Sequence, residues 1–124
     1  MIDIILINYK STECLIDCLE SIFAHREDVP INVHIQDNNS GENLEHLKRR
    51  FPEIVLVENQ RNIGFAAAAN IALQKSKARY MLLLNPDTMV IDGFLESIIN
   101  YMENNKDVGI LGPKILNDDN TIQG

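Results

Sequence analysis

The sequence predicts an α/β fold: a mostly parallel sheet with helices on both faces. Two observations predict it. Short β-branched or apolar runs alternate with segments of helical periodicity along the whole chain, which implies right-handed crossovers between parallel strands. The first run is apolar at nearly every position, the mark of a strand covered on both faces.

The elements follow in order. Ile2 to Asn8 reads as a buried strand. Ser11 or Thr12 can cap the helix after it, on which Leu15, Cys18, Leu19, Ile22 and Phe23 recur at helical spacing. Pro30 marks a loop, and Ile31 to Gln36 is a second strand ending in the turn cluster Asp37-Asn38-Asn39-Ser40-Gly41. Leu44, Leu47 and Phe51 predict a short helix stopped by Pro52. Ile54 to Val57 is a third strand, followed by the polar loop Asn59 to Gly64 and an Ala-rich helix over Phe65 to Lys77. Tyr80 to Leu84 is a fourth strand, apolar enough to be expected at the centre of the sheet. Phe94, Leu95, Ile98, Ile99 and Met102 define a helix after Asp92, and Val108 to Leu111 is expected as a fifth strand.

The chain of 124 residues suits one domain with its own core. Apolar residues make up 45% and charged residues 23%, ordinary for a globular fold. No apolar run approaches the roughly 20 residues that span a bilayer. The start lacks a basic stretch and a cleavage site, so no signal peptide is read and the cytoplasm is the expected location. Cys14 and Cys18 lie four residues apart and are expected as two small buried side chains. The net charge of −7 argues against a nucleic-acid backbone or an anionic membrane as main partner. An anionic small ligand would need a metal ion or oriented backbone N–H groups. The final turn-like stretch, Asp118 to Gly124, reads as a position inside a longer chain, so residues 1–124 are expected to be a truncated domain.

In open α/β sheets, ligands sit beyond the C-terminal ends of the strands. After strand one comes Asn8-Tyr9-Lys10-Ser11 with no G-x-G-x-x-G, and no G-x-x-x-x-G-K-[ST] occurs anywhere. Dinucleotide-binding and P-loop chemistry are therefore disfavoured. Tyr9 can lie against a flat base or half-cover the sheet edge. Asp37, after strand two, can accept a hydrogen bond from a base N–H or close its own turn by an Asx-type bond. After strand three, Gly64 lets the chain turn into the helix, whose N-terminus offers free N–H groups, and Asn70 can bond back to the loop. After strand four comes Asn85-Pro86-Asp87-Thr88. Its carboxylate can hold Mg²⁺ or Mn²⁺ on a diphosphate, or Asp87 or Thr88 can cap a helix. His25, His34 and His46 show no ligand spacing, and Lys48-Arg49-Arg50 reads as a solvated face.

Taken together, these blocks resemble the inverting family 2 glycosyltransferases of the GT-A fold, a Rossmann-like nucleotide-diphospho-sugar transferase architecture, and within them the rhamnosyltransferase-like branch. The matching blocks are Ile5 to Tyr9, Asp37 to Ser40, Asn62 through Asn70, Leu83 to Thr88 and, more weakly, Gly109 to Lys114. The resemblance implies that Asn8, Tyr9 and Asp37 sit around a pyrimidine base, that Asn62 and Gly64 belong to the loop beside the nucleotide, and that Asn85-Pro86-Asp87 stands where the family has D-x-D, with Asp87 on the metal. Asn85 replaces the first Asp of that pattern and costs the site a charge.

The implied activity is transfer of a sugar, with inversion, from a UDP- or dTDP-sugar to a hydroxyl of a glycan or lipid-linked acceptor. The commonest family setting is cell-surface polysaccharide assembly. In this family a general-base carboxylate comes from the second half of the catalytic domain, beyond residue 124, so the chain is expected to bind donor without useful turnover. A receiver-like phosphoacceptor module would want acidic residues where Asn8 and Asn59 stand. A binding-only descendant of the transferase fold shares every feature named.

Overall fold

All seven residues of β1 (Ile2–Asn8) are buried. The computed structural model, which describes all 124 residues, builds the rest around this strand. β1 pairs in parallel with β2 (Ile31–Asp37) on one side, and β3 (Ile54–Glu58) extends that side. β4 (Tyr80–Leu84) pairs in parallel with the other edge of β1, giving the order β3-β2-β1-β4. Leaving β1, the chain winds first one way and then back the other. The point of reversal lies between β1 and β4 at their C-terminal ends, where open α/β sheets bind ligands.

Even-numbered residues of β1 face the larger core. There Ile4 and Leu6 meet Leu15, Cys18, Leu19 and Ile22 of α1 (Thr12–Ala24), Leu47 of α2 (Glu45–Arg50) and Leu95 of α4 (Phe94–Asn104). Each aliphatic side chain so buried contributes about 2 kcal/mol. Ile5 and Ile7 face the opposite way, against Ala68 and Ala69 of α3 (Phe65–Lys75). Alanine on this helix permits a close approach to the sheet. Three of the four helices thus cover one face, and α3 covers β1 and β2 on the other.

The helix starts differ from their expected capping. Ser11 occupies the N-cap position of α1, but its hydroxyl makes no capping bond and turns back to Asn8. α4 begins after Gly93, which holds φ 70° in the left-handed region. Neither Asp87 nor Thr88 caps a helix. Thr88 donates both its N–H and its Oγ1 hydroxyl to the Asn85 carbonyl. This closes a β-turn with Pro86 at the second position, where its fixed φ fits.

Three expectations are corrected. β4 is an edge strand, not a central one. Leu82 and Leu84 pack against the main core, but Met81 and Leu83 on the other face are half-exposed. Apolar composition does not distinguish an edge strand from a central one when the deciding partner is another strand. The fifth strand does not form. An Asn105–Val108 turn, Gly109, Gly112 and Pro113 leave too short a run for a ladder, and Ile110 is 94% exposed. Beyond α4 the only strand-like pairing is an isolated antiparallel bridge between Leu116 and Ile122. Cys18 is buried as expected, but Cys14 is exposed, since α1 turns that position to solvent. No helix is long and apolar enough to cross a membrane.

Candidate functional site

The C-terminal ends of β1, β2 and β4 come together at one edge of the sheet. Register aligns Asn8 with Asp37 and Leu6 with Leu84. Asp37 and the Asn85–Thr88 turn therefore flank β1, two strand spacings or roughly 10 Å apart. The loop Asn59–Gly64 continues the edge beyond β2, because the Asn59 N–H bonds the Asp37 carbonyl at 2.8 Å.

Asn8 and Asp37 form the floor. Asn8 is 0% and Asp37 2% exposed. Asn8 Nδ2 donates to Asp37 Oδ1 at 2.8 Å, and Ser11 Oγ donates to Asn8 Oδ1 at 2.9 Å. The Ser40 N–H donates to Asp37 Oδ2 at 3.1 Å, so the Asx-type turn bond exists. Each carboxylate oxygen has a partner and retains a second lone pair. Asn8 has no accessible surface of its own and acts on this edge through its bond to Asp37.

The rim is open. Tyr9 is half-exposed, with the Lys10 ammonium 5.4 Å from its ring centroid. Lys10 itself holds φ 52°, a left-handed conformation that costs a non-glycine residue energy. That sharp turn carries the chain from β1 into α1 and leaves the Tyr9 ring at the lip. Gly64 holds φ 82°, and a Cβ there would meet nothing within 4 Å, so the backbone conformation, not space, demands glycine. Its carbonyl accepts from the Ala68 N–H at 3.2 Å, the first bond of α3. The N–H groups of Phe65, Ala66 and Ala67 precede that first bond and have no partner within the helix. Asn62 accepts the Gly64 N–H at 2.9 Å and is exposed, as is Asn70 on α3.

Asn85 and Asp87 are exposed beyond β4. Their turn is anchored from beneath by α1. Ser21 Oγ donates to the Cys18 carbonyl at 2.7 Å and accepts the Val90 N–H at 2.9 Å. The Cys18 thiol points at the Asn85 carbonyl, 3.9 Å away. Burial pushes that thiol up to about 11, a Thr88 hydrogen bond opposes the shift, and nearby Asp87 adds to it. No cluster of three or more His, Cys, Asp or Glu side chains is present to cage a metal. The donor set is one free carboxylate beside an amide. That chemistry fits a hard cation whose remaining ligands are phosphate oxygens and water.

The sequence puts Asn8, Asp37, Gly64, Asn85 and Asp87 at or just after strand ends but does not show how they are tied together. Asn38, Asn59, Ser21 and Cys18 carry those ties. The signal available is the density of Asn at strand ends, where side-chain amides substitute for absent backbone partners.

A family model, glycosyl transferase family 2, matches residues 3–123. An uncharacterised glycosyltransferase of Methanocaldococcus jannaschii is 25% identical over 116 residues, covering 90% of this chain and 40% of that protein. The amylovoran biosynthesis glycosyltransferase AmsE of Erwinia amylovora is 25% identical over 114 residues, covering 90% and 43%. The chain thus spans less than half the length of these relatives. Among solved structures, S. aureus TarS 1-349 in complex with UDP-GlcNAc superposes with a TM-score of 0.75 at 16% identity, covering 85% of this chain and 32% of that one. The mannosyltransferase PcManGT of Pyrobaculum calidifontis, in complex with GDP-Man and Mn²⁺, gives 0.72 at 18% identity, covering 82% and 32%. These likenesses establish the GT-A type of fold.

Proposed function

This chain belongs to glycosyltransferase family 2, and on that premise we propose that it is the donor-binding part of a metal-dependent, inverting sugar transferase. The observation that carries the reading is the placement of Asp37 and Asp87 at one sheet edge, on either side of the β1 end. A nucleoside diphosphate laid along that edge meets groups suited to each of its parts.

In this reading the base lies at the Asp37 end. A free lone pair of the Asp37 carboxylate accepts the base N–H, and the Tyr9 ring offers a flat apolar surface. Asn8 does not touch the base; it orients the Asp37 carboxylate from below. The Asn59–Gly64 loop and the first turn of α3 border the nucleotide on the side of β2. Asn85 offers a carbonyl acceptor to the ribose, and Asp87 holds Mg²⁺ or Mn²⁺. The bound cation would neutralise charge on the departing diphosphate. Because the chain is strongly acidic, Asp87 can bind the diphosphate only through such a cation.

The reaction is a single displacement at the anomeric carbon. The acceptor hydroxyl attacks, the bond to the nucleoside diphosphate breaks, and the hydroxyl proton passes to a carboxylate base. That base and the acceptor site are assigned to the remaining part of a full-length transferase. The donor is a UDP- or dTDP-sugar, and the N-P-D triplet supports placement in the rhamnosyltransferase-like branch.

Calorimetry with UDP, dTDP, GDP and NAD, each with and without Mn²⁺, tests the reading. Binding of UDP or dTDP that strengthens with Mn²⁺ is expected. Binding of NAD alone, or of none of the four, would overturn it.

A further inference from the structure

Asn38 is 3% exposed and sits immediately after Asp37, and both polar atoms of its side chain are engaged within the protein. Its own N–H bonds the Asn8 carbonyl at 2.8 Å. Its side chain reaches the loop after β3, distant in sequence. Oδ1 accepts the Ile63 N–H at 3.2 Å and Asn59 Nδ2 at 3.1 Å. Nδ2 donates to the Gly64 carbonyl at 3.1 Å. The two backbone partners fix the amide's orientation, since an N–H must face the oxygen and a carbonyl must face the nitrogen. Asn59 is held in turn by Gln36. The loop itself is otherwise exposed at Gln60, Arg61, Asn62 and Gly64, with Ile63 half-buried. The Asn59 end of the loop is also held to β2 by backbone and by Gln36, whereas Asn38 joins the far end, Ile63 and Gly64, to the end of β2.

We propose that Asn38 is a positioning residue that holds the Asn59–Gly64 loop, and with it the N-terminus of α3, in place beside Asp37 for the nucleoside end of the donor. The proposal rests on the donor-site reading and adds what sets its geometry. Alanine at this position supplies neither donor nor acceptor. Aspartate keeps the acceptor for Ile63 but turns a second oxygen toward the Gly64 carbonyl, and it regains a donor only when protonated.

The test compares wild type, Asn38→Ala and Asn38→Asp by amide exchange and by UDP calorimetry from neutral to mildly acidic pH. In Asn38→Ala, exchange at the Ile63 amide rises about tenfold or more, the scale of a lost buried hydrogen bond. Amides of β1 and β2 keep wild-type protection. UDP affinity falls by about the same factor, while the gain in affinity from Mn²⁺ is unchanged. Asn38→Asp is impaired at neutral pH, and its deficit against wild type closes as the new carboxyl protonates. Unchanged exchange at Ile63, protection lost evenly across the sheet, or an Asn38→Asp deficit that is flat with pH would each overturn the proposal. A wild-type chain that binds no UDP would remove the donor reading instead. The exchange data would then still decide whether Asn38 holds the loop.

Discussion

Asn8 Nδ2 donates a 2.8 Å hydrogen bond to Asp37 Oδ1 across the parallel pair of β1 and β2, with both side chains out of solvent. A buried carboxylate is costly unless its oxygens are bonded. Asn8→Ala leaves one oxygen without its donor and should destabilise the fold by about 2 kcal/mol. Asn8→Asp sets two carboxylates together and should cost more. Urea unfolding of both, with Asp37→Ala and the double variant in a cycle, measures the coupling, expected at about 1 kcal/mol or above.

Asp87 presents the opposite case. Its side chain is exposed and the turn beneath it is closed by Thr88, not by the carboxylate. Asp87→Ala should shift stability by no more than about 0.5 kcal/mol while removing the Mn²⁺-dependent part of UDP binding. Thermal unfolding beside calorimetry reads both quantities from the same sample. A variant that unfolds would return Asp87 to a structural role.

Asp3 ties β1 to β2 and to the end of α3, at the edge of the sheet opposite the site. Burial pushes its carboxyl up, but hydrogen bonds from Ser76 and Asn32 and the neighbouring His34 outweigh this and hold it below the usual 3.8. A carboxyl depressed in the folded state binds its proton more readily when unfolded. Its contribution is therefore present above pH 3.8 and lost as pH falls below that value. Denaturation measured against pH should show this acid loss in wild type, and Asp3→Asn should lack that component.

Cys14 and Cys18 should separate cleanly by reactivity. Cys14 is exposed, whereas Cys18 is buried with its thiol pushed up to about 11. An aromatic disulfide reagent should trap one thiol quickly in the native state and the second only on unfolding. Because the folded thiol ionises later than the unfolded one at 9.0, its contribution is intact below pH 9.0 and lost as pH rises toward about 11. Cys18→Ala should abolish that alkaline loss.

Thr12 Oγ1 is buried without a hydrogen-bond partner at the start of α1. Valine has the same shape without the orphaned hydroxyl. Thr12→Val is expected to raise stability by about 1 kcal/mol, read as a higher thermal midpoint with unchanged UDP binding.

Local patterns make most elements legible. β1 and β4 have the bounds that apolarity and β-branching predict, and the helical spacing of Leu15, Cys18, Leu19 and Ile22 describes the buried face of α1. The strand-end motifs are legible for the same reason: Asp37, Gly64 and Asp87 sit where local chain turns require polar or flexible residues. What is not legible is whatever depends on a distant partner. Ser11 has the chemistry of a helix cap, but it bonds Asn8. Val108–Leu111 has strand-like residues but, between a turn and Gly112-Pro113, pairs with no strand.

The amino-acid order by itself determined the α/β alternation, the strand-end positions of Asp37 and Asp87 and the turn at Gly64. All of these follow from side-chain chemistry and from periodicities that act over a few residues. Only the tertiary structure decided that β4 lies outside β1, that Asn8 works through Asp37, and that Asn38 fastens the Asn59–Gly64 loop. Those outcomes depend on which way each crossover winds and on bonds between residues 29 and 25 positions apart. No short window of sequence encodes either.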